Sequence, residues 1–136
     1  MKNSTPSKKE KTMLGLKVVL FINFLLWATY GLVDLFYPAY LVTMKMGQDS
    51  ASARHVAAIV IGLAIIIWQT FRNPAKYAMV VYALIILNAI DLLVGIFQSI
   101  NGIELWENTI TGIILNVVLG AGLVIFRPRG EEIKFI

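Results

Sequence analysis

Four long runs of apolar residues, separated by short polar segments, dominate the hydrophobic pattern of the chain. A helix rises about 1.5 Å per residue, so about 20 apolar residues cross the ~30 Å hydrocarbon core of a bilayer. Backbone polar groups inside hydrocarbon must be satisfied within the segment itself, which favours helices. We therefore predict an all-α integral membrane protein, a bundle of four transmembrane helices over about 14–37, 51–71, 77–98 and 108–126.

The four runs form one predicted membrane domain, residues 13–127, with a polar segment on either side. Residues 1–12 are polar and rich in lysine, and we expect them to be a disordered basic tail. Residues 128–136 form a second predicted tail. Pro38 ends the first run and Pro74 marks a tight turn between the second and the third, because the residue before a proline is disfavoured in a helix.

Composition supports a membrane protein, and the distribution of charge predicts its orientation. The chain has 136 residues, 58% of them hydrophobic, with a formal net charge of +4. All but two of its 12 Lys and Arg residues lie in 1–17, 72–76 and 127–136, which leaves Lys45 and Arg54 on the other side. The positive-inside rule then predicts that both termini face the cytoplasm, in a multi-pass protein of the cytoplasmic (inner) membrane. The lysines are orientation signals, so the bilayer is the predicted partner and nucleic acid is not.

The residue types present exclude several kinds of chemistry. The chain contains no cysteine, which excludes disulfides, thiol redox chemistry and thiolate metal sites. His55 is the single histidine and has no spaced partner, so no metal and no cofactor are predicted. No hydrolase, metalloprotease or phosphate-binding motif occurs. We therefore assign no catalytic residue, and the pattern does not favour an enzyme.

Polar and small residues line one face of each predicted helix. In the third run this face carries Asn88, Asp91, Gly95 and Gln98, and the opposite face is apolar and suited to lipid. The stripe of the first run is Asn23, Trp27, Tyr30, Gly31 and Asp34. The stripe of the second run is Arg54, His55, Ala58, Gly62 and Gln69. We expect these stripes to face inward, with helices in close contact at small or polar residues. The predicted packing residues are Ala58, Gly62, Gly95, Gly112, Asn116 and Gly120.

Several polar groups are predicted to meet in the outer half of the bundle. Asp34 lies near the outer end of the first helix, and Arg54 and His55 lie at the outer start of the second. Asp91 lies about 10 Å below the outer end of the third, at 1.5 Å per residue. We therefore predict an outward-facing polar cavity formed by Asp34, Arg54, His55, Asn88 and Asp91.

Two interpretations of this cluster remain open at the level of sequence. In the first, Arg54 pairs with Asp91 and the pair only fixes how the helices pack. In the second, the carboxylate binds a proton, a cation or a small polar ligand, since ionisable groups inside membranes are commonly functional. The first interpretation is structural and the second is a binding site.

The pattern resembles the small bacterial four-span membrane proteins of the DoxX-like and BphX-like type. The residues that carry the resemblance are "DLFYP" (34–38), "SARHVAAIVIGLAI" (52–65), "NAIDLLVGI" (88–96) and a glycine-rich fourth run. The resemblance covers about residues 14–127 and implies a four-helix bundle of the inner membrane. Some DoxX-type members are linked to quinone-dependent oxidation, but the absence of cysteine and of a redox motif gives no reason to expect that activity here.

These observations predict a ligand-binding or accessory subunit with an outward-facing polar cavity. Its expected partners are the bilayer and either other membrane proteins or a small-molecule ligand, and oligomers are compatible with the pattern. The alternative is a small proton- or cation-coupled transporter acting as a homo-oligomer. Small multidrug transporters also have four spans, but they need a carboxylate in the middle of the first helix, where this chain has Phe24 to Trp27.

Overall fold

The computed structural model describes residues 7–37, 50–102 and 106–129. These residues contain four helices: α1 (Lys8–Phe36), α2 (Ser50–Arg72), α3 (Ala78–Ile100) and α4 (Trp106–Phe126). Within the described ranges, all four are long and apolar enough to cross a membrane. The predicted all-α class with four membrane-length helices is confirmed at this level.

The first helix begins earlier than the sequence analysis predicts. Ser7 is its N-cap, and the Ser7 backbone N–H donates to Glu10 Oε2 at 2.6 Å while the Glu10 N–H donates to Ser7 Oγ at 3.3 Å. This reciprocal capping satisfies two backbone donors and extends the helix into the lysine-rich segment. Residues 8–12 are therefore helical, and the predicted disorder over 1–12 is wrong for them. Residues 1–6 and 130–136 lie outside the described residues.

Proline and glycine residues determine where two of the connections bend. α2 ends at Arg72, directly before the Asn73–Pro74 turn, and Asn73 Oδ1 accepts a hydrogen bond from the backbone N–H of Lys76 at 3.3 Å. α3 ends at Ile100, and Gly102 follows with φ 69°, a left-handed conformation that glycine adopts without strain.

Contacts between helices show that neighbours along the chain run antiparallel. Phe24 packs against Trp68 with ring centroids 5.1 Å apart, which pairs the middle of α1 with the end of α2. Val19 of α1 approaches Gly122 of α4, and Ser99 of α3 hydrogen-bonds Thr109 of α4. The closest packing is within the α1–α2 and α3–α4 hairpins, and α1 also packs against α4. The bundle thus has a basic end, with Lys8, Arg72, Lys76 and Arg127, and an opposite far end.

The hydrophobic core lies in the half of the bundle nearer the basic end. Its buried members come from all four helices: Leu16, Leu20, Ile67, Val81, Leu84 and Leu123. Towards the far end, α3 and α4 bury few residues. The polar groups of the far half are therefore held by a less tightly packed part of the fold.

The outer surface of the helices is apolar, the reverse of a water-soluble bundle. Met79, Ile86, Ile90, Leu93 and Phe97 of α3 are all exposed, as the helical periodicity predicts. Large apolar side chains are exposed on the other three helices as well. Continuous apolar surface of this extent is typical of contact with lipid.

The rotation of α2 differs from the sequence prediction. Its buried positions within 54–72 are Ala57, Val60, Ala64, Ile67 and Thr70. Arg54, Ala58 and Gln69 are exposed, so the small and polar stripe predicted to face inward lies on the surface. The reason is the fit to α1: Gly31 leaves room for Val60 and Ile61, and the aromatic side chains of α1 pack against Trp68 and Phe71.

Candidate functional site

The most connected polar group lies between α3 and α4, and we call it the polar seam. It comprises Asn88, Asp91, Gly95 and Ser99 of α3 with Thr109, Gly112, Asn116 and Gly120 of α4. Successive members are three or four residues apart, so each set occupies one helical face and the two faces meet. Asn88 Cβ lies 3.7 Å from the position a Gly120 Cβ would occupy, and a buried hydrogen bond joins Ser99 to Thr109.

Asp91 is held in the middle of the seam by Asn116. Asn116 Nδ2 donates to Asp91 Oδ2 at 2.9 Å and also to the Gly112 carbonyl oxygen of its own helix at 3.0 Å. Both hydrogens of the amide are therefore used, which fixes the orientation of the Asn116 side chain. The Asp91 side chain is exposed, and its Oδ1 accepts no hydrogen bond from any residue that the structure describes.

Next to the Asp91–Asn116 pair, the seam contains two glycines with open space at their Cβ positions. Gly95 lies one turn beyond Asp91 on α3, and Gly112 lies one turn before Asn116 on α4, so the two glycines are at the same level of the antiparallel pair. In the described part of the chain, no atom lies within 4 Å of where either Cβ would be. The Ser99–Thr109 hydrogen bond lies beyond the glycines, towards the far end. The Cβ positions of these two glycines are therefore open, with the Asp91 carboxylate on one side of them and two hydroxyl groups on the other.

Asp34 is a second carboxylate, in the last turn of α1. It is fully buried, and among the described residues neither carboxylate oxygen has a hydrogen-bond partner. Asn23, lower on α1, is also fully buried: its Nδ2 donates to the Val19 carbonyl at 3.0 Å, and its Oδ1 has no partner in the same part of the chain. With the buried Gly31, these residues confirm that the predicted polar stripe of α1 faces inward.

The predicted cavity residues fall into two groups rather than one. Asn88 and Asp91 belong to the polar seam, with Asn88 buried and its Nδ2 donating to the Leu84 carbonyl at 2.7 Å. Asp34, Arg54 and His55 lie at the far end of the α1–α2 hairpin, where Arg54 and His55 are exposed.

The ion pair of Arg54 with Asp91, one of the two interpretations that the sequence left open, is not formed in the described part of the chain. Asp91 bonds to Asn116, and over the described residues Arg54 makes no ion pair with it. The rotation of α2 explains this, since Arg54 lies on the face with Ala58, away from the buried face of that helix. The interpretation in which Asp91 serves only to pair with Arg54 is therefore not supported.

The predicted packing residues are not those in closest contact. Gly62, Gly95 and Gly112 have open space at their Cβ positions in the described chain, and Ala58 is exposed. Asn116 and Gly120 do lie at the α3–α4 contact. The closest approaches occur elsewhere: Gly15 against Phe126, Gly31 against Ile61 and Gly122 against Val19.

Sequence reasoning missed Ser99 and Thr109. The signal was available for Ser99, which follows Asp91 and Gly95 at the same four-residue step. Thr109 lies at the start of α4, where a threonine is usually interpreted as a residue of the helix end, so its role depends on the register with α3.

The chemistry of the site is that of a carboxylate with a spare oxygen beside neutral polar groups. Among the described residues, no three His, Cys, Asp or Glu side chains are grouped as a metal site would need. An acceptor of this kind suits a proton, a monovalent cation or a protonated amine. Comparison with protein-family models, curated proteins and solved structures finds no match to the chain.

Proposed function

We propose that the chain is a four-span protein of the cytoplasmic (inner) membrane, with both termini inside, that binds a cationic ligand at Asp91 in the outer half of the bundle. The basic end carries Lys8, Arg72, Lys76 and Arg127, which supports a cytoplasmic location for that end under the positive-inside rule. The far end, towards which the polar seam extends, would then face outward.

The observation that carries the proposal is the exposed Asp91 carboxylate next to the open space at Gly95 and Gly112. Among the described residues, only one of its two oxygens accepts a hydrogen bond. Asp91 lies nine residues before the end of α3, about 13 Å along the helix axis and so within the hydrocarbon. A carboxylate at such a depth costs about 2.5–3.5 kcal/mol unless something complements it. The seam offers a place for that complement, and a cation is the chemically matched one.

The test compares Asp91→Asn with a control from the same hairpin, Glu107→Gln. Asparagine keeps the shape of the side chain and an oxygen for the Asn116 hydrogen bond, but it removes the charge. Glu107 is exposed in the first turn of α4, outside the seam, so its substitution removes an equal charge elsewhere. The purified proteins are titrated with tetraphenylphosphonium, a lipophilic cation, and binding is followed by calorimetry.

We expect Asp91→Asn to weaken binding at least about tenfold, the loss of one charged contact, while Glu107→Gln binds as the wild type does. Equal binding by Asp91→Asn and the wild type, or no binding by the wild type, would contradict the proposal. A melting curve of each variant by circular dichroism shows whether the bundle is intact, which separates loss of the site from loss of the fold.

A second function, proton- or cation-coupled transport by a homo-oligomer, is favoured by Asp34. A fully buried carboxylate without a described partner suits a group that binds and releases a small cation or a proton. In proteoliposomes under a pH gradient, Asp34→Asn should then abolish flux of the same cation while equilibrium binding at Asp91 persists. Flux unchanged in Asp34→Asn, or absent in the wild type, would leave the binding function alone.

The resemblance to DoxX-like and BphX-like proteins belongs to the same proposal. It rests on the stretches 34–38, 52–65 and 88–96, which include both carboxylates and the start of α2. An accessory subunit of such a family would present Asp91 to a ligand or to a partner protein. The binding experiment addresses the ligand, and co-purification of Asp91→Asn with its native membrane partners addresses the protein.

A further inference from the structure

A polar groove lies at the basic end of the bundle, where α2 turns into α3. It has a volume of about 360 Å³ and is lined by Gln69, Arg72, Asn73, Lys76 and Tyr77. None of these five residues is acidic, and two carry a positive charge. The groove is separate from the polar seam, which lies in the far half of the molecule.

The turn places the two cations beside the groove, Arg72 before it in sequence and Lys76 after Pro74. Asn73 Oδ1 accepts a hydrogen bond from the Lys76 backbone N–H at 3.3 Å, and the Asn73 carbonyl accepts one from the Tyr77 N–H at 3.3 Å. Lys76 Nζ lies 5.5 Å from the centre of the Tyr77 ring, a cation–π distance. Arg72 is the last residue of α2, and its side chain is exposed.

We infer that this groove binds the headgroup of an anionic phospholipid. The ends of two membrane-length helices bring it to the level of headgroups, and a guanidinium with an ammonium matches a phosphodiester. The amides of Gln69 and Asn73 supply neutral donors and acceptors for headgroup hydroxyls. The inference goes beyond the function proposed for Asp91, and it uses no residue of the seam.

The experiment measures lipid bound to the detergent-solubilised protein by native mass spectrometry, with phosphatidylglycerol and phosphatidylcholine in equal amounts. The test variant is Arg72→Gln/Lys76→Gln. The control is Arg127→Gln/Arg129→Gln, which removes the same charge from the same end of the bundle but not from the groove. Circular dichroism establishes that both proteins are helical.

We expect the wild type to bind more phosphatidylglycerol than phosphatidylcholine. The ratio of the two bound lipids should fall about fivefold for each cation removed, and so about 30-fold in the test variant. The control should stay within about twofold of the wild type. An equal loss in the control would overturn the inference, because general charge would then explain the binding. Displacement of the lipid by millimolar inorganic phosphate would also overturn it, in favour of a soluble phosphate ligand, and so would a wild type without preference.

Discussion

Gly31 and Gly62 lie in neighbouring helices with opposite surroundings. A Cβ at Gly31 would lie 2.9 Å from Ile61 Cγ1 and 3.3 Å from the Ile61 backbone nitrogen, whereas a Cβ at Gly62 would meet no described atom within 4 Å. Because backbone cannot move aside cheaply, Gly31→Ala should force α1 and α2 apart and lower the free energy of unfolding by about 1–3 kcal/mol. Unfolding in increasing mole fractions of dodecyl sulfate, followed by circular dichroism, measures the difference.

Gly62→Ala is the matched control for that substitution. It adds the same methyl group to α2, where alanine has the higher helix propensity, so its stability should equal or slightly exceed that of the wild type. If both variants unfold at the wild-type concentration of dodecyl sulfate, the close contact of α1 with α2 at Gly31 is contradicted.

Single residues also show what the sequence could reveal. The stripe through Asn23, Gly31 and Asp34 was predictable because all three share one face of α1, and that face is buried. The hydrogen-bond partner of Asp91 could not be predicted from the sequence. The contact with Asn116 depends on the register of α3 against α4 and on the rotation of α2, and packing between helices sets both.

The rotation of α2 can be tested with two adjacent alanines. Ala57 is fully buried and Ala58 is exposed. Ala57→Leu should overfill the contact at Ala57 and lower the free energy of unfolding by about 1–3 kcal/mol, while Ala58→Leu should change it by less than about 0.5 kcal/mol. The same dodecyl sulfate titration provides the measurement. The opposite ranking would restore the orientation in which Ala58 and Gly62 face inward.

The elements themselves were largely predictable, for a physical reason. Length and apolar content determine that four helices form, and the structure has them near the predicted positions. The prediction that the small and polar stripe of α2 faces inward was wrong, because small residues are equally compatible with a helix contact and with an exposed surface. The bulkier residues of α2 set its rotation: Val60 and Ile61 fit against Gly31, and Trp68 and Phe71 fit against the aromatic residues of α1.

At the scale of the whole molecule, the polar seam and the hydrophobic core occupy different halves. The core residues Leu16, Ile67, Val81 and Leu123 lie towards the basic end, and the polar seam extends towards the far end. A tightly packed half can hold the helices together while the other half leaves space for a ligand. This division could not be predicted from composition, since each helix carries an apolar stretch long enough to cross a membrane.

The proposed orientation of the molecule is open to direct test because the chain contains no cysteine. Ala75→Cys places a thiol in the turn at the basic end, and Asn101→Cys places one after α3 at the far end. Neither substitution changes a charge, so the distribution that sets the topology is preserved. In intact cells, a membrane-impermeant maleimide should label Asn101→Cys and should label Ala75→Cys only after permeabilisation. The cysteine-free wild type gives the background, and labelling after denaturation gives the total. The reverse pattern would place the far end of the bundle, and with it the half that contains Asp91, towards the cytoplasm.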